Sequence, residues 1–269
     1  MIQVRSHAKI NWALRILGRR PDGYHDLETL FQTISLHDTI TIRESSEWNL
    51  SCDDPSVPTD ETNLILKAAR ALGTPAVAIE VRKRIPAGGG LGGGSSNAAA
   101  TLVALARMFA VDDRALHEIA LSIGSDVPFF LVGGTAYATG RGEELARMPA
   151  ASPIPLLLIF PEERVSTPEA FRLIRGYSQP VGMDVFDDAV RGDLLSHRDL
   201  LVNDFEGPIF EQLPKLRAFK ERLYEAGAAW AGMSGSGSTM VGAFRSQAAR
   251  DQAAAAFSDV RWQRAETTA

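Results

Sequence analysis

Residues 86–97 read Pro86-Ala87-Gly88-Gly89-Gly90-Leu91-Gly92-Gly93-Gly94-Ser95-Ser96-Asn97, and Ala98-Ala99-Ala100-Thr101-Leu102-Val103-Ala104-Leu105 follows. Six glycines around one leucine are poor material for a strand or helix, because glycine surrenders the most backbone freedom on ordering. They suit a loop that wraps backbone N–H groups around an anion. Ser95, Ser96 and Asn97 are N-cap residue types, and the alanine-rich run after them favours helix. The pattern predicts a helix over 96–109. A glycine loop running into a helix start brings free N–H donors and the positive end of a helix dipole to one point, which is how phosphate is bound. A flexible linker of similar composition would carry polar flanks. Here Ile79, Val81 and Ile85 alternate before Pro86, and an apolar helical pattern follows.

Around this loop the chain has ordinary globular statistics. Its 269 residues suffice for one large domain or two modest ones. At that length roughly 75% of the unfolded surface can be buried, so no disulfide or metal staple is required. Hydrophobic residues make up 45% and charged residues 23%. The net charge of −5 argues against a nucleic-acid partner while leaving room for a local anion site. The single cysteine, Cys52, excludes an internal disulfide and a Cys-rich metal site. Residues 1–7 hold no apolar signal core, and the longest clean apolar run, 156–160, is too short to span a bilayer. A soluble, cytoplasmic protein without a membrane partner is the expectation.

Over residues 8–17 the sequence alternates, with Ala8, Ile10, Trp12, Leu14 and Ile16 on one strand face and Lys9 and Asn11 on the other. Pro21-Asp22-Gly23 predicts a turn that delivers Tyr24 and His25. A strand is expected over 35–43, a helix from Thr59-Asp60-Glu61 to Gly73, and a strand over 76–84. Helices follow at 96–109 and 113–123, then a turn at Gly124-Ser125-Asp126 and a strand over 133–139. The composition breaks at Pro149-Ala150-Ala151-Ser152-Pro153, which divides the chain into domains 1–150 and 151–269. Beyond it lie a buried strand at 154–160, a helix at 166–175, an irregular stretch at 178–190, and a helical stretch at 203–226 interrupted by Pro208 and Pro214. Strands at 228–232 and 238–244 flank a second Gly/Ser loop, and a helix at 246–257 and a strand at 260–264 follow. An α+β architecture of two antiparallel layers fits this order better than a doubly wound parallel sheet.

Three phosphate-loop patterns can be tested on the residues. A P-loop needs lysine after its second glycine, and Gly94 stands where that lysine belongs. A dinucleotide fingerprint is met trivially by Gly88, Gly90 and Gly93, but Asp112 and Asp113 precede a helix instead of ending a second parallel strand. His197-Arg198-Asp199 imitates a protein-kinase catalytic loop, yet its asparagine falls at 203 where 204 is required, and no Asp-Phe-Gly follows. That stretch reads as a solvated turn.

What remains is a phosphate loop without its own lysine. Pro86, Gly90-Leu91-Gly92, Ser95-Ser96 and Ala98 resemble the central motif of the GHMP small-molecule kinases. Ala8-Lys9-Ile10-Asn11, Asp22-Gly23-Tyr24-His25, Leu30-Phe31-Gln32, Asn63-Leu64-Ile65, Gly124-Ser125-Asp126-Val127-Pro128 and Met233-Ser234-Gly235-Ser236-Gly237 resemble the branch acting on diphosphocytidyl-methylerythritol in the non-mevalonate isoprenoid route. The resemblance is dense through residue 140 and thinner over 176–226.

The resemblance implies a ribosomal-protein-S5-like N-terminal domain, a ferredoxin-like α/β sandwich as C-terminal domain, and an active site in the cleft between them. It implies ATP and Mg²⁺ as cofactors, phosphorylation of the substrate's 2-hydroxyl, and a monomer or weak homodimer without nucleic acid. Asp126 is implied as the base and Lys9 as its partner. Position alone leaves Asp126 open to a second reading, as a cap of the following helix, and Lys9 to one as a strand-edge surface lysine. Residues Pro86, Ala87, Gly88, Gly89, Gly90, Leu91, Gly92, Gly93, Gly94, Ser95 and Ser96 are implied to cradle ATP, with Asn63 and Lys83 near the adenine. Asn11, Tyr24, His25 and Phe171 are implied to hold the cytidyl substrate, two aromatic rings sandwiching the base. The Arg82-Lys83-Arg84 run also reads as a solvated edge, Phe171 as core, and the 234–238 loop as a plain hairpin turn. Other alcohols within the family, such as mevalonate, a sugar or homoserine, and a non-catalytic nucleotide binder, are the rival functions.

Overall fold

A computed structural model describes residues 1–112, 115–149 and 152–269. Its strands form two sheets, and its residues pack as two units that both interrupt the sequence. The first unit is Met1–Ala8, Leu36–Ala87 and Gly92–Gly133; the second is Lys9–Ser35, Gly88–Leu91 and Gly134–Ala269. Strands β1 (Ile2–Arg19) and β2 (His25–Glu44) are far longer than the alternating segments predict, and each contributes to both units. The anticipated turn joins them: Gly23 takes φ +88°, and the Arg20 N–H donates to the Tyr24 carbonyl at 2.8 Å.

In the first unit β2 pairs antiparallel with β4 (Val77–Arg82), from Thr39↔Arg82 to Glu44↔Val77. Strand β3 (Asn49–Cys52) runs parallel to β4, a departure from the antiparallel layers expected. Ile40, Ile42, Leu50, Val77, Ile79 and Val81 pack with Ile65, Leu66 and Ala69 of α1 (Leu64–Ala71) and with Ala104 and Leu105 of α2 (Gly93–Phe109). The small Ala98, Ala99 and Ala106 of α2 lie in a second cluster with Ala68 of α1, Leu116 and Ala120 of α3 (Leu116–Ile123) and Val127 of α4 (Val127–Val132).

In the second unit the first half of β2 pairs with β5 (Thr135–Thr139), and β5 with β6 (Glu144–Arg147). The other sheet lies in this unit and is formed by β7 (Pro155–Phe160), β8 (Trp230–Met233), β9 (Met240–Ala243) and β10 (Arg261–Glu266), antiparallel in the order β10-β7-β9-β8. Helices α5 (Thr167–Leu173), α6 (Met183–Arg191), α7 (Glu206–Gln212), α8 (Pro214–Glu225) and α9 (Gln247–Ala254) complete the unit. Leu157, Ile159, Ala231, Met233, Met240, Leu216, Leu223 and Phe257 are among its core.

Several element boundaries differ from the sequence expectations for identifiable reasons. Helix α1 starts at Leu64: Asp60 spends its carboxylate on the Thr62 N–H and hydroxyl, a local turn that competes with helix, and Asn63 caps Ile65. Helix α2 starts three residues early. Its N-cap is Gly92 at φ +69°, so Ser95, Ser96 and Asn97 lie inside its first turns and do not cap it. The 178–190 stretch is not irregular throughout, since α6 buries Phe186, Ala189 and Val190 at i, i+3, i+4 spacing. Pro208 sits in the first turn of α7, where no N–H is required, and does not interrupt it. Strand β6 carries no signal that the alternation revealed. The 197–199 turn is exposed, as expected. Asp113, the start of the 113–123 helix and the centre of the 149–153 break fall partly on residues 113, 114, 150 and 151, outside the described residues.

Candidate active site

Lys9 is no surface lysine: it is 4% exposed, and Asn11 is 2% exposed. Burying an ammonium is costly unless it is paired. The Lys9 Nζ donates to Asn11 Oδ1 at 2.7 Å and lies 5.1 Å over the Phe31 ring. Asn11 is itself held, its Nδ2 donating to Thr29 Oγ1 at 2.8 Å and that hydroxyl donating to the Ala13 carbonyl at 2.6 Å. The Lys9 backbone N–H donates to the carbonyl of Leu91 at 3.0 Å, which ties the strand to the glycine loop.

The second Gly/Ser loop packs on the same place. It connects β8 to β9, so it is a hairpin turn, but a buried one. Ser234 Oγ donates to the Gly90 carbonyl at 2.9 Å, and the Thr239 N–H donates to the Gly89 carbonyl at 3.3 Å. Lys9, Asn11, the 88–91 segment and the 234–239 loop thus form one cluster within the second unit.

A second cluster in that unit is aromatic. His25 stacks on Phe171, with centroids 4.6 Å apart and planes 14° apart, and Phe171 meets Phe205 edge-on at 4.9 Å. Phe171 is therefore partly a core residue. Tyr24 is 53% exposed, with the Arg141 guanidinium 4.7 Å from its ring. Tyr177, which the sequence reading did not single out, is 52% exposed with its ring 6.4 Å from His25. Glu28, fully buried, holds the backbone after Tyr177: it accepts from the N–H groups of Val181 and Gly182 at 2.8 and 2.7 Å and from the Tyr137 hydroxyl at 2.9 Å. Burial, then the bond to Glu28, push the Tyr137 phenol up to about 12.

Burial, and secondarily the charge of Arg19, hold the His25 imidazole below its ordinary value. The folded form therefore prefers neutral His25, and the unfolded chain takes up the proton first as pH falls. Stability from this group is present above the unfolded value and is lost as pH falls through the folded one. An NMR titration is expected to place the His25 midpoint below the ordinary imidazole value of about 6.5; a midpoint above it would contradict the burial.

The remaining candidates lie in the first unit. Asp38, fully buried, accepts from Lys83 Nζ at 2.5 Å and from the N–H groups of Arg84 and Ile85 at 2.7 and 2.9 Å. Lys83 is thus not part of a solvated edge: its side chain is 7% exposed, against 64% for Arg82 and Arg84. A Cβ built on Gly93 would lie 3.4 Å from Lys83 Nζ. The Lys83–Asp38 ion pair and the positive end of α2 therefore meet at Gly93; the helix end favours an anion, while Asp38 offsets the charge of the ammonium. The first N–H groups of α2 have no acceptor in the preceding turn. Ser96 is 2% exposed and its hydroxyl is already used, lying 2.7 Å from Ser6 Oγ and donating to the His7 carbonyl at 2.6 Å. Ser95 is the more accessible of the pair. Asn63 is occupied as a cap, its Nδ2 donating to the Pro58 carbonyl at 2.6 Å. Asp126 stands at the N-cap position of α4, yet its side chain makes no capping hydrogen bond.

Comparison with known proteins identifies the family of the chain. Residues 63–134 match the GHMP kinases N terminal domain and residues 185–260 the GHMP kinases C terminal domain. The chain is 41% identical over 266 residues to the 4-diphosphocytidyl-2-C-methyl-D-erythritol kinase of Prosthecochloris aestuarii, covering 94% of this chain and 92% of that one. It is 42% identical over 255 residues to the enzyme of that name from Salinibacter ruber, covering 90% and 89%. A crystal structure of 4-(cytidine 5'-diphospho)-2C-methyl-D-erythritol kinase superposes with a TM-score of 0.87 at 33% identity over the whole of both chains. A homoserine kinase from Cytophaga hutchinsonii shares the fold, with a TM-score of 0.73 at 20% identity over 99% of this chain and 94% of that one. With both family domains matched and named relatives covering nearly its whole length, the chain belongs to the GHMP kinases, in the branch of the 4-diphosphocytidyl-2-C-methyl-D-erythritol kinases.

Proposed function

We propose that this chain transfers a phosphoryl group from ATP to the 2-hydroxyl of 4-diphosphocytidyl-2-C-methyl-D-erythritol, giving the 2-phosphate and ADP. One observation carries the reading: a buried ammonium, Lys9, is bonded through its own backbone to the glycine loop and through its side chain to Asn11. A loop without lysine thereby gains a fixed cation, at a place where negative charge on a transferring group would be stabilised. The relatives' names supply the substrate.

In this reading the glycine loop, the α2 N-terminus and Ser95 cradle the ATP phosphates, with the Lys83 ammonium, paired to Asp38, beside Gly93. Asn63 and Ser96 act by holding α1 and α2 in place. Asp126 takes the proton of the substrate hydroxyl, and Lys9 supplies positive charge for that step. Asn11 orients Lys9, while Tyr24, His25 and Phe171, joined by Tyr177, read the cytosine. Among the described residues no group of three or more His, Cys, Asp or Glu could hold a metal ion. Mg²⁺ is usually bound by one or two carboxylates together with substrate phosphates. Bound there, Mg²⁺ would neutralise phosphate charge.

The division into domains 1–150 and 151–269 belongs to the same proposal. It is supported by the family matches, which end at 134 and resume at 185. Localisation in the cytoplasm and a monomeric or weakly dimeric state are proposed with it; among the described residues no helix is long and apolar enough to cross a membrane.

The test is ADP release with ATP and each of four alcohols: diphosphocytidyl-methylerythritol, mevalonate, homoserine and a hexose. Turnover is expected with the cytidyl substrate alone. Faster turnover with another alcohol would replace the substrate, and none with any would remove the kinase reading.

A further inference from the structure

Residues 202–206, Val202-Asn203-Asp204-Phe205-Glu206, follow the stretch that imitates a protein-kinase loop. Asn203 is 8% exposed and its side chain is fully engaged. Its Nδ2 donates to the carbonyls of Met233 and Gly235, both at 2.8 Å, and its Oδ1 accepts from the Phe205 N–H at 3.0 Å. The neighbouring Glu206 accepts from the Met233 N–H at 2.7 Å. On its other side the segment is bonded to β1. The Leu14 N–H donates to the Val202 carbonyl at 2.8 Å, the Asp204 N–H to the Leu14 carbonyl at 2.9 Å, and the Ile16 N–H to Asp204 Oδ2 at 2.7 Å.

The backbone that Asn203 grips presses on the glycine loop. A Cβ built on Gly235 would lie 3.1 Å from the Gly90 carbonyl oxygen and 3.5 Å from Lys9 Nζ. Asn203 thus links the strand that carries Lys9 to the turn that seats Gly90, all within the second unit.

We propose that Asn203 is a positioning residue for phosphoryl transfer. By donating to the Met233 and Gly235 carbonyls it sets the Ser234–Gly235 backbone against Gly90, and so sets the glycine loop relative to the Lys9 ammonium. The inference rests on the kinase reading above. Two carbonyl oxygens converge on one amide, which satisfies both because it carries two hydrogens. A carboxylate of the same shape would face them with a like-charged oxygen and push the turn away. A displacement of about 1 Å at a site of this kind costs on the order of 10²-fold in rate. The base-reading cluster meets this segment at the Phe205 ring, edge-on to Phe171, whereas the turn that Asn203 grips presses directly on the glycine loop, so the larger loss falls on kcat and not on KM for the alcohol.

The experiment is steady-state ADP release by wild type, N203D and N203A from pH 5.5 to 8.5, with melting temperature followed alongside. At pH 8 both variants are expected to lose on the order of 10²-fold in kcat, with KM for the alcohol kept within about twofold of wild type. As pH falls, N203D is expected to recover relative to wild type, because its protonated carboxyl donates to one of the carbonyls. N203A has nothing to protonate and shows no recovery, a split that a purely structural role would not produce. Wild-type kcat in N203D at pH 8, or parallel pH profiles for the two variants, overturns the proposal. Should N203D fail to fold, an unchanged kcat in N203A overturns it and the kcat-only loss supports it. The ratios are taken with whichever alcohol the wild type phosphorylates, so a wrong substrate assignment is seen separately as inactivity of the wild type on the cytidyl compound.

Discussion

Asp126→Asn is expected to lower turnover by about 10²–10⁴-fold, the range for loss of a general base, while ATP still binds. Asparagine has nearly the same shape but cannot accept the hydroxyl proton. Asp126 makes no capping hydrogen bond to α4, so the substitution removes no cap from that helix. The loss should appear in kcat, with the melting temperature followed alongside as the check on folding. Nucleotide affinity, measured by calorimetry, separates the step from binding. Full turnover in the variant would return Asp126 to a structural role and reopen the choice of base.

Gly90→Ala is expected to be the most damaging single methyl in the glycine loop. Gly90 has φ +76°, and a Cβ there would lie 2.0 Å from the Ser234 carbonyl oxygen and 3.1 Å from that of Gly237. Both obstacles are backbone, so a rotamer change cannot relieve the clash. The left-handed conformation costs about 1–2 kcal/mol, and overpacking typically adds about 1–3 kcal/mol. At about 2–4 °C per kcal/mol for a chain of this size, the melting temperature should fall by roughly 5–15 °C, with activity falling as the loop moves off its seat. Gly88→Ala is the internal control. Gly88 has nearly the same φ, +71°, but nothing within 4 Å of its Cβ position. It should show only the conformational cost. Equal melting temperatures for the two variants would mean that the 234–237 turn does not confine Gly90.

The strands other than β3 and β6, though not the full length of β1 and β2, the Asp-Gly turn, the α5 start at Ser166 and the glycine loop were legible in the sequence, because each rests on local chemistry. Period-two alternation, a glycine at positive φ and a capping serine act over a few residues, and neighbours in sequence suffice to reveal them. The family followed from the same short motifs. Helix starts were less legible where a polar side chain had two local options, as at Asp60 and Ser95.

The status of the charged side chains was decided elsewhere. Lys9 could be a strand-edge lysine by pattern alone; it is buried because β1 is covered on both faces by segments distant in sequence. Lys83 stands between two exposed arginines in sequence, and Asp38, 45 residues away, separates it from them. Glu28 and Asn203 carry no motif, since their partners at 181–182 and 233–235 are backbone groups that any sequence would supply. The sequence by itself determined the fold class, the glycine loop and the family. The tertiary structure decided which polar groups are desolvated and what holds them, because burial and hydrogen-bond satisfaction depend on chain segments that local pattern does not connect.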